Sequence, residues 1–416
     1  MLDINKIRED QEGIRAALLK RMDPEKLDLD SILKIDDQRR KLLQEVEILK
    51  AERNKYSKTK PDQETIVKMK KVGEQIKEFD EQVKATENNL REKLAELPNI
   101  PAEDVLPGGK ENNKVIKVVG QKPEFDFEPK DHYELATSLG IIDYERAAKM
   151  SGTGFWVYRG DGAILEWALL SYFLEFHRGN HYIFMIPPFL LTEQSAYTSG
   201  HLPKFRDDLF WTQDQTCLNA TSEMMLGNYH RDEILDAEEL PIKYAAYSAC
   251  FRREAGSYRK EERGMIRGHQ FNKIEMFHYT KPEQSWDSFD ELVSNAEKLV
   301  EGLGLHFQTV QLAAGDASAA MAKTMDVEVW IPSMNIYKEV SSVSNALDYQ
   351  ARRGNVRFKD KESGKNEFVH TLNASGLATS RLFPAILEQF QNADGSVSIP
   401  KALQKYTGFK KIEPKK

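Results

Sequence analysis

The stretch Cys250–Phe277, which reads CFRREAGSYRKEERGMIRGHQFNKIEMF, decides the fold of this chain. Its two ends are strand-like, and along the second end Phe271, Lys273 and Glu275 alternate with residues of the opposite face. A long, charged, glycine-containing connection joins these ends, so we expect a hairpin of two antiparallel strands. Positive charge stands at both ends of the connection, and each strand carries a carboxylate. A hairpin with these groups can bind a polyphosphate and an amino group together.

Length and composition indicate a globular protein with one unusually charged part. The 416 residues are enough for one large domain and one or two small ones. Hydrophobic residues make up 40% of the chain and charged residues 30%, which is typical of a soluble protein. The net charge of -7 argues weakly against nonspecific binding to nucleic acid, although a local basic surface can still contact RNA.

The cysteines and the apolar runs indicate the compartment. Cys217 and Cys250 are far apart in sequence and have no metal-ligand spacing, so we expect neither a disulfide nor a zinc site. The first residues, MLDINKIREDQEGIR, lack the apolar core of a signal peptide. No apolar run approaches the roughly 20 residues that a membrane helix needs. We therefore expect a cytoplasmic protein that does not enter a membrane.

Residues from about 31 to 97 carry two heptad seams, the pattern of a coiled coil. The first seam contains Ile32, Ile35, Arg39, Leu42, Val46, Leu49, Arg53 and Tyr56. The second seam contains Met69, Val72, Ile76, Phe79, Val83, Thr86, Leu90 and Leu97. The sequence Lys60-Pro61-Asp62 separates them, and two helices joined by a short turn must be antiparallel. At ~1.5 Å per residue this arm would be roughly 40–50 Å long.

Basic residues gather near the predicted tip of the arm. They are Lys50, Arg53, Lys55, Lys58 and Lys60. One interpretation is that they only solvate a two-helix hairpin, and another is that they contact the phosphates of a nucleic acid. The sequence leaves both interpretations open.

A linker rich in proline and glycine ends near residue 110, so we predict an N-terminal domain over 1–110, with the arm at about 31–97, and a second domain over 111–416. In the second domain the pattern predicts strands at 182–185, 209–211, 243–251, 269–277, 327–330 and 336–340. It predicts helices at 162–177, 286–303 and 382–390. Strands that follow one another across turns favour an antiparallel sheet, and we predict an α+β fold in which helices cover it.

The sequence contains neither a Walker P-loop nor a GxGxxG motif after a strand, so side chains would have to bind any nucleotide. Four separated clusters offer such groups: residues 221–223, the hairpin at 252–275, residues 339–353 and residues 373–381. Each also has a purely structural interpretation. Thr221-Ser222-Glu223 could cap a helix, Glu339 and Arg381 could be surface charges, and His269 could simply be packed.

Taken together, these clusters resemble the three class II motifs of the seryl-tRNA synthetase family. Motif 2 reads FRREAGS at 251–257 and RGMIRGHQFNKIE at 263–275, and motif 3 begins with HTLNASGLATSR at 370–381. Pro187-Pro188 ends motif 1, and SGHLPKF at 199–205 and the predicted arm agree as well. The resemblance covers nearly the whole chain. It implies an antiparallel class II sheet flanked by helices, with a coiled-coil arm.

The resemblance implies ATP-dependent activation of L-serine to seryl-adenylate and its transfer to tRNA(Ser), with tRNA(Sec) as a further candidate acceptor. It implies ATP and Mg²⁺ as cofactors, a homodimer formed through motif 1, and an arm that grips the tRNA. Two alternatives remain open. The chain could be a specialised paralogue that serves a carrier protein or confers antibiotic resistance, or it could be a non-catalytic RNA-binding relative.

The resemblance assigns ATP contacts to ten positions: Arg252, Arg253, Glu254, Gly268, Phe271, Glu339, Val340, Ser341, Ser342 and Arg381. Arg252 would hold the α-phosphate and the substrate carboxylate, and Arg381 would pair with the γ-phosphate, which makes these two the catalytic residues. Glu254 falls where the family contacts the adenine amino group, and Phe271 falls where adenine stacks. Glu339 would also be a metal ligand.

Ser342 joins Glu339 as the second metal ligand that the resemblance implies. The serine pocket would be formed by Thr221, Ser222, Glu223, Arg252, Glu275, Asn373 and Ser375. Carboxylates suit an ammonium group, and a pocket built to hydrogen-bond a hydroxyl rejects alanine. We find no credible protein general base in the sequence.

This chain departs from the family pattern at four positions. Arg259 replaces a glycine in the motif 2 loop, Gly268 stands where a larger residue often lines the ATP site, and Val343 stands where cysteine is common. Pro384 falls within the motif 3 helix, where a position beyond the first turn would introduce a kink. We expect the motif 2 loop, with Arg259, to contact the incoming end of the tRNA.

Overall fold

The computed structural model describes residues 1–56, 62–254 and 264–414. The chain divides into two compact units, Met1–Ile100 and Pro101–Lys416. The boundary at residue 100 differs from the predicted boundary at 110, because the intervening segment hydrogen-bonds to distant parts of the second unit. The amide of Ala102 donates to the carbonyl of Ala322 over 2.9 Å, and the amide of Gly315 donates to the carbonyl of Gly108 over 2.7 Å.

The first unit consists of α1 (Ile4–Glu9), α2 (Gln11–Leu18), α3 (Leu29–Tyr56) and α4 (Gln63–Glu96). The last two helices form the predicted arm. Cross-helix ion pairs between Lys50 and Asp80, at 3.2 Å, and between Glu52 and Lys68, at 3.1 Å, show that they run antiparallel. Asp62 begins α4, because its side chain accepts a hydrogen bond from the amide of Thr65.

Burial in the arm follows the two heptad seams. The buried members are Ile32, Val46, Val72, Ile76, Val83, Leu90 and Leu97. Arg53, which the seam also included, is exposed near the end of α3. Lys58, Lys60 and Pro61, which the sequence analysis placed at the tip, lie outside the described residues. The coiled-coil prediction is confirmed over the described parts of the arm.

A buried carboxylate fixes the first unit at the base of the arm. Asp36 lies on α3, and its side chain is only 1% exposed. One carboxylate oxygen accepts from Arg8 of α1 over 2.7 Å, and the other accepts from Arg39 over 2.9 Å. Because both oxygens are paired with guanidinium groups, the desolvated charge is compensated and α1 is tied to α3.

The second unit contains nine further α-helices and seventeen strands among its described residues. The helices are α5 (His132–Ser138), α6 (Tyr144–Ser151), α7 (Asp161–Gly179), α8 (Glu193–Thr198), α9 (Glu223–Leu226), α10 (Ser285–Gly302), α11 (Tyr349–Gly354), α12 (Thr379–Gln389) and α13 (Gln404–Thr407). The strands are β1 (Lys114–Val119), β2 (Ile142–Asp143), β3 (Val157–Tyr158), β4 (Ile183–Met185), β5 (Leu190–Thr192), β6 (Thr216–Leu218), β7 (Ile234–Asp236), β8 (Ile242–Phe251), β9 (Gln270–Thr280), β10 (Phe307–Gln311), β11 (Lys323–Ile331), β12 (Ile336–Leu347), β13 (Arg357–Lys359), β14 (Asn366–Phe368), β15 (His370–Ala378), β16 (Val397–Ser398) and β17 (Lys411–Ile412).

Eight of these strands form the central sheet, in the order β1-β10-β11-β12-β15-β9-β8-β4. Neighbouring strands are antiparallel except for β4, which pairs with β8 in parallel at one edge. The predicted hairpin is the pair β8 and β9, whose register runs from Ile242 opposite Tyr279 to Phe251 opposite Gln270. The α+β prediction, with a largely antiparallel sheet covered by helices, is confirmed.

The two faces of β9 have different surroundings. Ile274 and Met276 point into the main core, which α7, α10 and α12 cover. In α10, for example, Phe289, Leu292 and Ala296 recur at helical spacing and are buried in that core. The alternate residues of β9 point to the other face, which leaves that face of the sheet available for a binding site.

One predicted strand is not formed, and the position of Pro384 in its helix is defined. Residues 209–211 do not form a strand. Only Trp211 bridges to Cys217 there, and its indole nitrogen donates to the carbonyl of Arg206 over 2.9 Å. Pro384 lies in the second turn of α12, where it is buried, and the helix continues to Gln389.

The Asp36 cluster generates a stability prediction. We expect Asp36→Ala to lower the free energy of unfolding of the first unit by about 3 kcal/mol, because two arginines lose a shared buried partner. Asp37→Ala is the matched control, since Asp37 forms an exposed pair with Arg40 at 3.8 Å. Urea unfolding followed by helical circular dichroism measures both. Equal small losses in the two variants would contradict the assigned role.

Candidate active site

The face of the sheet that carries Glu275 borders a cavity of about 550 Å³. Nine predicted site residues line it: Thr221, Glu223, Arg252, Glu254, Glu275, Glu339, Ser342, Asn373 and Ser375. A neighbouring cavity of about 40 Å³ adds four more: Gly268, Phe271, Val340 and Arg381. The two cavities share Arg252 and Glu339, so the structure brings all but three of the predicted residues to one place.

Strand register explains why residues so distant in sequence converge. Ser375 of β15 lies opposite Glu275 of β9, and Asn373 lies opposite Ser344 of β12. The amide of Arg252, just after β8, donates to the carbonyl of His269 over 3.0 Å. Antiparallel pairing therefore lines up the four strands so that polar side chains from each reach the same face.

At one end of the cavity, Glu275 is fully buried and collects three polar partners. The side-chain amide of Asn373 donates to the Glu275 carboxylate over 3.0 Å, and the hydroxyl of Thr221 lies 3.4 Å from that carboxylate. Lys273 forms an ion pair with Glu275, and its ammonium also donates to the Thr221 hydroxyl over 2.6 Å. This end of the cavity is small, polar and able to bind both an ammonium group and a hydroxyl.

Glu223, at the start of α9, is the second carboxylate at this end. Gln350 of α11 donates to it over 2.7 Å, and its own amide donates to the Thr221 hydroxyl over 3.2 Å. Burial raises the pKa of Glu223 to about 7, and the nearby Glu275 carboxylate acts in the same direction. Its charge therefore changes near neutral pH.

The other end of the cavity is rich in arginine. The Arg252 guanidinium lies over the ring of Phe271, 5.2 Å from its centroid. Arg381, in the first turn of α12, donates to the carbonyl of Glu339 over 2.8 Å and to its carboxylate over 3.2 Å. Burial would raise the pKa of Glu339, but Arg381 and Arg252 outweigh it and hold that pKa below its usual range. These guanidinium groups suit anionic oxygens.

Glu254 and Arg267 close the base of the motif 2 loop. The Arg267 guanidinium donates to the Glu254 carboxylate over 2.7 Å, and Glu254 adopts a positive φ of 51°. Residues 255–263 of this loop, including Arg259, lie outside the described residues, so the expected contact of the loop with tRNA stays a prediction.

Oxygen atoms that could hold a magnesium ion meet beside Glu339. Asp326 of β11 lies opposite Ser342 of β12, and its Oδ1 is buried without a hydrogen-bond partner among the described residues. Burial raises the pKa of Asp326 well above its usual range, and the charge of Glu339 adds to this. Within the described ranges, no cluster of His, Cys, Asp and Glu could hold a metal alone. Glu339 and Ser342 offer oxygen atoms of the kind that Mg²⁺ prefers as ligands.

Three predicted residues lie outside both cavities. The hydroxyl of Ser222 points away and donates to Ser248 over 2.7 Å, so it serves the packing behind the site. The hydroxyl of Ser341 is fully buried and donates to the Ser375 carbonyl over 2.6 Å, which supports the pocket from behind. Arg253 is exposed, and its amide donates to the carbonyl of Asp208.

The structure places two departures from the family pattern and explains the first. A Cβ atom at Gly268 would lie 2.1 Å from the Trp156 ring, so this tryptophan occupies the space that a side chain at 268 would need. Val343 is fully buried in the main core.

His269 is a packed residue, as the structural interpretation expected. Its ring lies between Phe155 and Phe210 and hydrogen-bonds to the Arg252 carbonyl.

Residues that line or support the cavity without having been predicted as site residues include Lys273, Arg267, His201 and Gln350. Lys273 shares the strand face of Glu275, so the alternation on β9 contained the signal. Burial lowers the pKa of His201 to about 3, with nearby cations adding to the effect, and its ring is neutral. His201 lies within the stretch SGHLPKF and Gln350 within the cluster at 339–353, but the sequence assigned neither side chain a role.

Family models match both parts of the chain. The model described as seryl-tRNA synthetase N-terminal domain matches residues 1–101. The model described as tRNA synthetase class II core domain (G, H, P, S and T) matches residues 205–390. No helix within the described ranges is long and apolar enough to cross a membrane.

Relatives and solved structures agree with these matches. A protein named serine-tRNA ligase 2, from Clostridium acetobutylicum, is 54% identical over 99% of this chain and 100% of its own length. A serine-tRNA ligase from Petrotoga mobilis is 47% identical over 98% of this chain and 99% of its own. The structure of seryl-tRNA synthetase from Pyrococcus horikoshii complexed with ATP superposes with a TM-score of 0.94 at 36% identity, covering both chains completely. This chain therefore belongs to the seryl-tRNA synthetase family.

Proposed function

We propose that this protein activates L-serine with ATP and transfers the seryl group to tRNA(Ser). The observation that carries the proposal is the cavity itself. It joins a small polar end, with the two carboxylates of Glu223 and Glu275, to an arginine-rich end with Arg252 and Arg381. The first suits the ammonium and hydroxyl groups of serine, and the second suits a triphosphate.

The reaction follows from how these groups would hold the substrates. Arg252 stands between the two ends of the cavity, so its guanidinium can bridge the serine carboxylate and the α-phosphate. The carboxylate oxygen then attacks the α-phosphorus and pyrophosphate leaves, which yields seryl-adenylate. A terminal ribose hydroxyl of the tRNA next attacks the acyl carbon and AMP leaves. Positioning and charge neutralisation supply the acceleration, and no covalent enzyme intermediate is required.

Phe271 offers its ring to adenine and Arg381 pairs with the γ-phosphate in this proposal. Glu339 and Ser342 would hold Mg²⁺, which when bound neutralises phosphate charge. Asp326 lies opposite Ser342, so a third oxygen-bearing side chain stands beside this position.

Selection of serine rests on hydrogen bonding in a tight space. Glu275, Asn373 and Ser375 can contact the side-chain hydroxyl, whereas Glu223 and Thr221 lie at hand for the ammonium group. Alanine would leave these buried polar groups without partners, and larger side chains would not fit. Lys273 balances one of the two carboxylates, which leaves a net charge suited to a single ammonium group.

The arm and the motif 1 region supply the partners of the proposed enzyme. Helices of 28 and 34 residues make the arm long enough to reach along a tRNA, and Arg53 and Lys55 are exposed near its described end. We propose that it binds tRNA(Ser). Apolar side chains on α7 and around the edge strand β4 remain exposed, namely Ile164, Trp167, Ile183, Ile186 and Leu190. They support a homodimer formed through motif 1.

The alternatives are less well supported. A carrier-protein paralogue has no use for the long arm, and a non-catalytic relative has no need to retain Arg252, Glu275, Glu339 and Arg381 together. A role in antibiotic resistance and the use of tRNA(Sec) have no specific observation in their favour. We propose a cytoplasmic location, which agrees with two buried cysteines that form no disulfide.

The proposed activation step is tested by serine-dependent exchange between ATP and pyrophosphate. We expect Arg252→Ala to lower kcat/KM for exchange by about 100-fold or more, because the α-phosphate loses its charge partner. Arg146→Ala on the exposed face of α6 is the control and should leave exchange unchanged. Absence of exchange with any amino acid in the unmodified protein would sink the enzymatic proposal.

The proposed role of the arm makes a separate prediction. Replacement of residues 31–97 by a short flexible linker should abolish charging of tRNA(Ser) while exchange stays within about threefold, because the cavity lies wholly in the second unit. Arg53→Glu combined with Lys55→Glu should weaken tRNA binding and make it less dependent on salt. Loss of exchange and of charging to the same extent would refute the proposed role.

Serine binding should depend on pH through Glu223. Its raised pKa of about 7 leaves the carboxyl protonated and uncharged below neutrality, where it no longer attracts an ammonium group. We expect kcat/KM for serine to fall up to about tenfold per pH unit below 7. Glu223→Gln should give a low and level profile. A level profile in the unmodified protein would contradict the role of Glu223.

A further inference from the structure

Behind the cavity, on the opposite face of the sheet, lies a buried carboxylate that the proposed reaction does not use. Glu166 of α7 is only 3% exposed. Its Oε1 accepts hydrogen bonds from the Asn272 amide and from the Thr379 hydroxyl, each over 2.7 Å. Its Oε2 is buried, and the phenol of Tyr158 interacts with the same carboxylate. Burying a carboxylate is costly unless hydrogen bonds compensate it, and the two donors Asn272 and Thr379 come from different segments of the chain.

The two partners of Glu166 belong to the segments that carry the ATP residues. Asn272 lies between Phe271 and Lys273 on β9, with its side chain on the core face of the strand. Thr379 begins α12, two positions before Arg381, and its hydroxyl also lies 3.1 Å from the Asn272 carbonyl. The Glu166 carboxylate thus connects β9, which carries Phe271 for adenine, to the first turn of α12, which carries Arg381 for the γ-phosphate.

The groups around Glu166 leave its charge sensitive to pH. Burial raises its pKa to about 7, although hydrogen bonds from Thr379, Asn272 and Tyr158 act against this. The titratable groups that face this network are Tyr158 of β3 and Tyr247 of β8. Burial raises the pKa of both phenols, so both stay neutral near pH 7. The hydroxyl of Tyr247 donates to the side-chain oxygen of Asn272 over 3.1 Å and so fixes the orientation of that amide.

We propose that Glu166 is a positioning residue for ATP, which holds β9 and the start of α12 in register and does so more firmly when its carboxylate is ionised. The reason is that hydrogen bonds to a charged acceptor are shorter and stronger than those to a neutral acid. The ionised carboxylate is the better acceptor for both donors, so Phe271 and Arg381 are held most firmly above neutral pH. This inference rests on the proposed use of the cavity for ATP.

The kinetic test compares Glu166→Ala and Glu166→Gln by ATP-pyrophosphate exchange. We expect Glu166→Ala to raise KM for ATP about fivefold or more and to change KM for serine by less than about twofold, since the network serves only the ATP end. Glu166→Gln keeps the acceptor oxygen and should bring KM for ATP close to the unmodified value. Glu175→Gln, on the exposed face of the same helix, is the control.

A pH profile separates positioning from simple structural support. In the unmodified protein, KM for ATP should rise as pH falls through about 7, and Glu166→Gln should remove that inflection. The effect of Glu223, by contrast, belongs to KM for serine. If both Glu166 variants match the unmodified protein in KM for ATP at every pH, the inference is wrong.

Thermal unfolding checks the ionisation without any activity measurement. The folded protein holds the Glu166 proton up to about pH 7, whereas the unfolded chain releases it near the ordinary carboxyl pKa. The stability that this proton contributes is therefore lost as pH rises toward 7, and Glu166→Gln cannot lose it. The Tm of Glu166→Gln relative to the unmodified protein should increase between about pH 5 and pH 8. A constant difference would overturn the ionisation step.

The two kinds of failure remain distinguishable. If the unmodified protein exchanges no pyrophosphate with any amino acid, the proposed function fails first. If it exchanges normally and the Glu166 variants differ from it only in kcat, or equally in KM for ATP and for serine, the proposed function stands and the positioning role of Glu166 does not.

Discussion

The polar end of the cavity in the second unit depends on one buried interaction, the pairing of Glu275 with Lys273. A fully desolvated carboxylate destabilises a protein by several kcal/mol unless nearby groups compensate it. Here compensation comes from Lys273 on the same strand, Asn373 on the neighbouring strand and Thr221 before α9. Because these partners come from three separate segments, the folded chain assembles the polar end of the cavity as part of stabilising its own core.

The central sheet serves different chemistry on its two faces. One face carries carboxylates and guanidinium groups that border the cavity, and the other carries Ile274 and Met276 in the main core. The core face nevertheless contains Asn272 and, against it, Glu166. Both Glu223 and Glu166 have pKa values raised to about 7 by burial, one beside the cavity and one behind it. Because their neighbours differ, we expect ionisation of Glu223 to affect serine binding and ionisation of Glu166 to affect ATP binding.

Periodicity made much of this architecture predictable. The heptad seams predicted an antiparallel arm, and the alternation along residues 271–275 predicted which side chains of β9 share a face. Most of the site residues that the motifs implied do meet at the cavity. Local patterns could report these features because strand and helix geometry fixes side-chain direction within each element.

Features that depend on distant contacts were not predictable. Ser222 points to Ser248 instead of the cavity, and nothing in residues 221–223 encodes that choice. Residues 101–110 belong to the second unit because backbone groups of Ala322 and Gly315 pair with them. Residues 209–211 read as a strand but receive only one bridge, at Trp211. In the first two cases the partner is distant in sequence, and a local periodic pattern carries no information about such a contact.

The close approach of Trp156 to Gly268 constrains the paths by which this sequence can change. With only 2.1 Å between the ring and a Cβ at 268, a larger residue there requires a smaller residue at 156 first. The reverse order passes through an overpacked intermediate that would be selected against. Positions 156 and 268 should consequently vary together among descendants of this protein, and the tryptophan would be the first of the two to be lost.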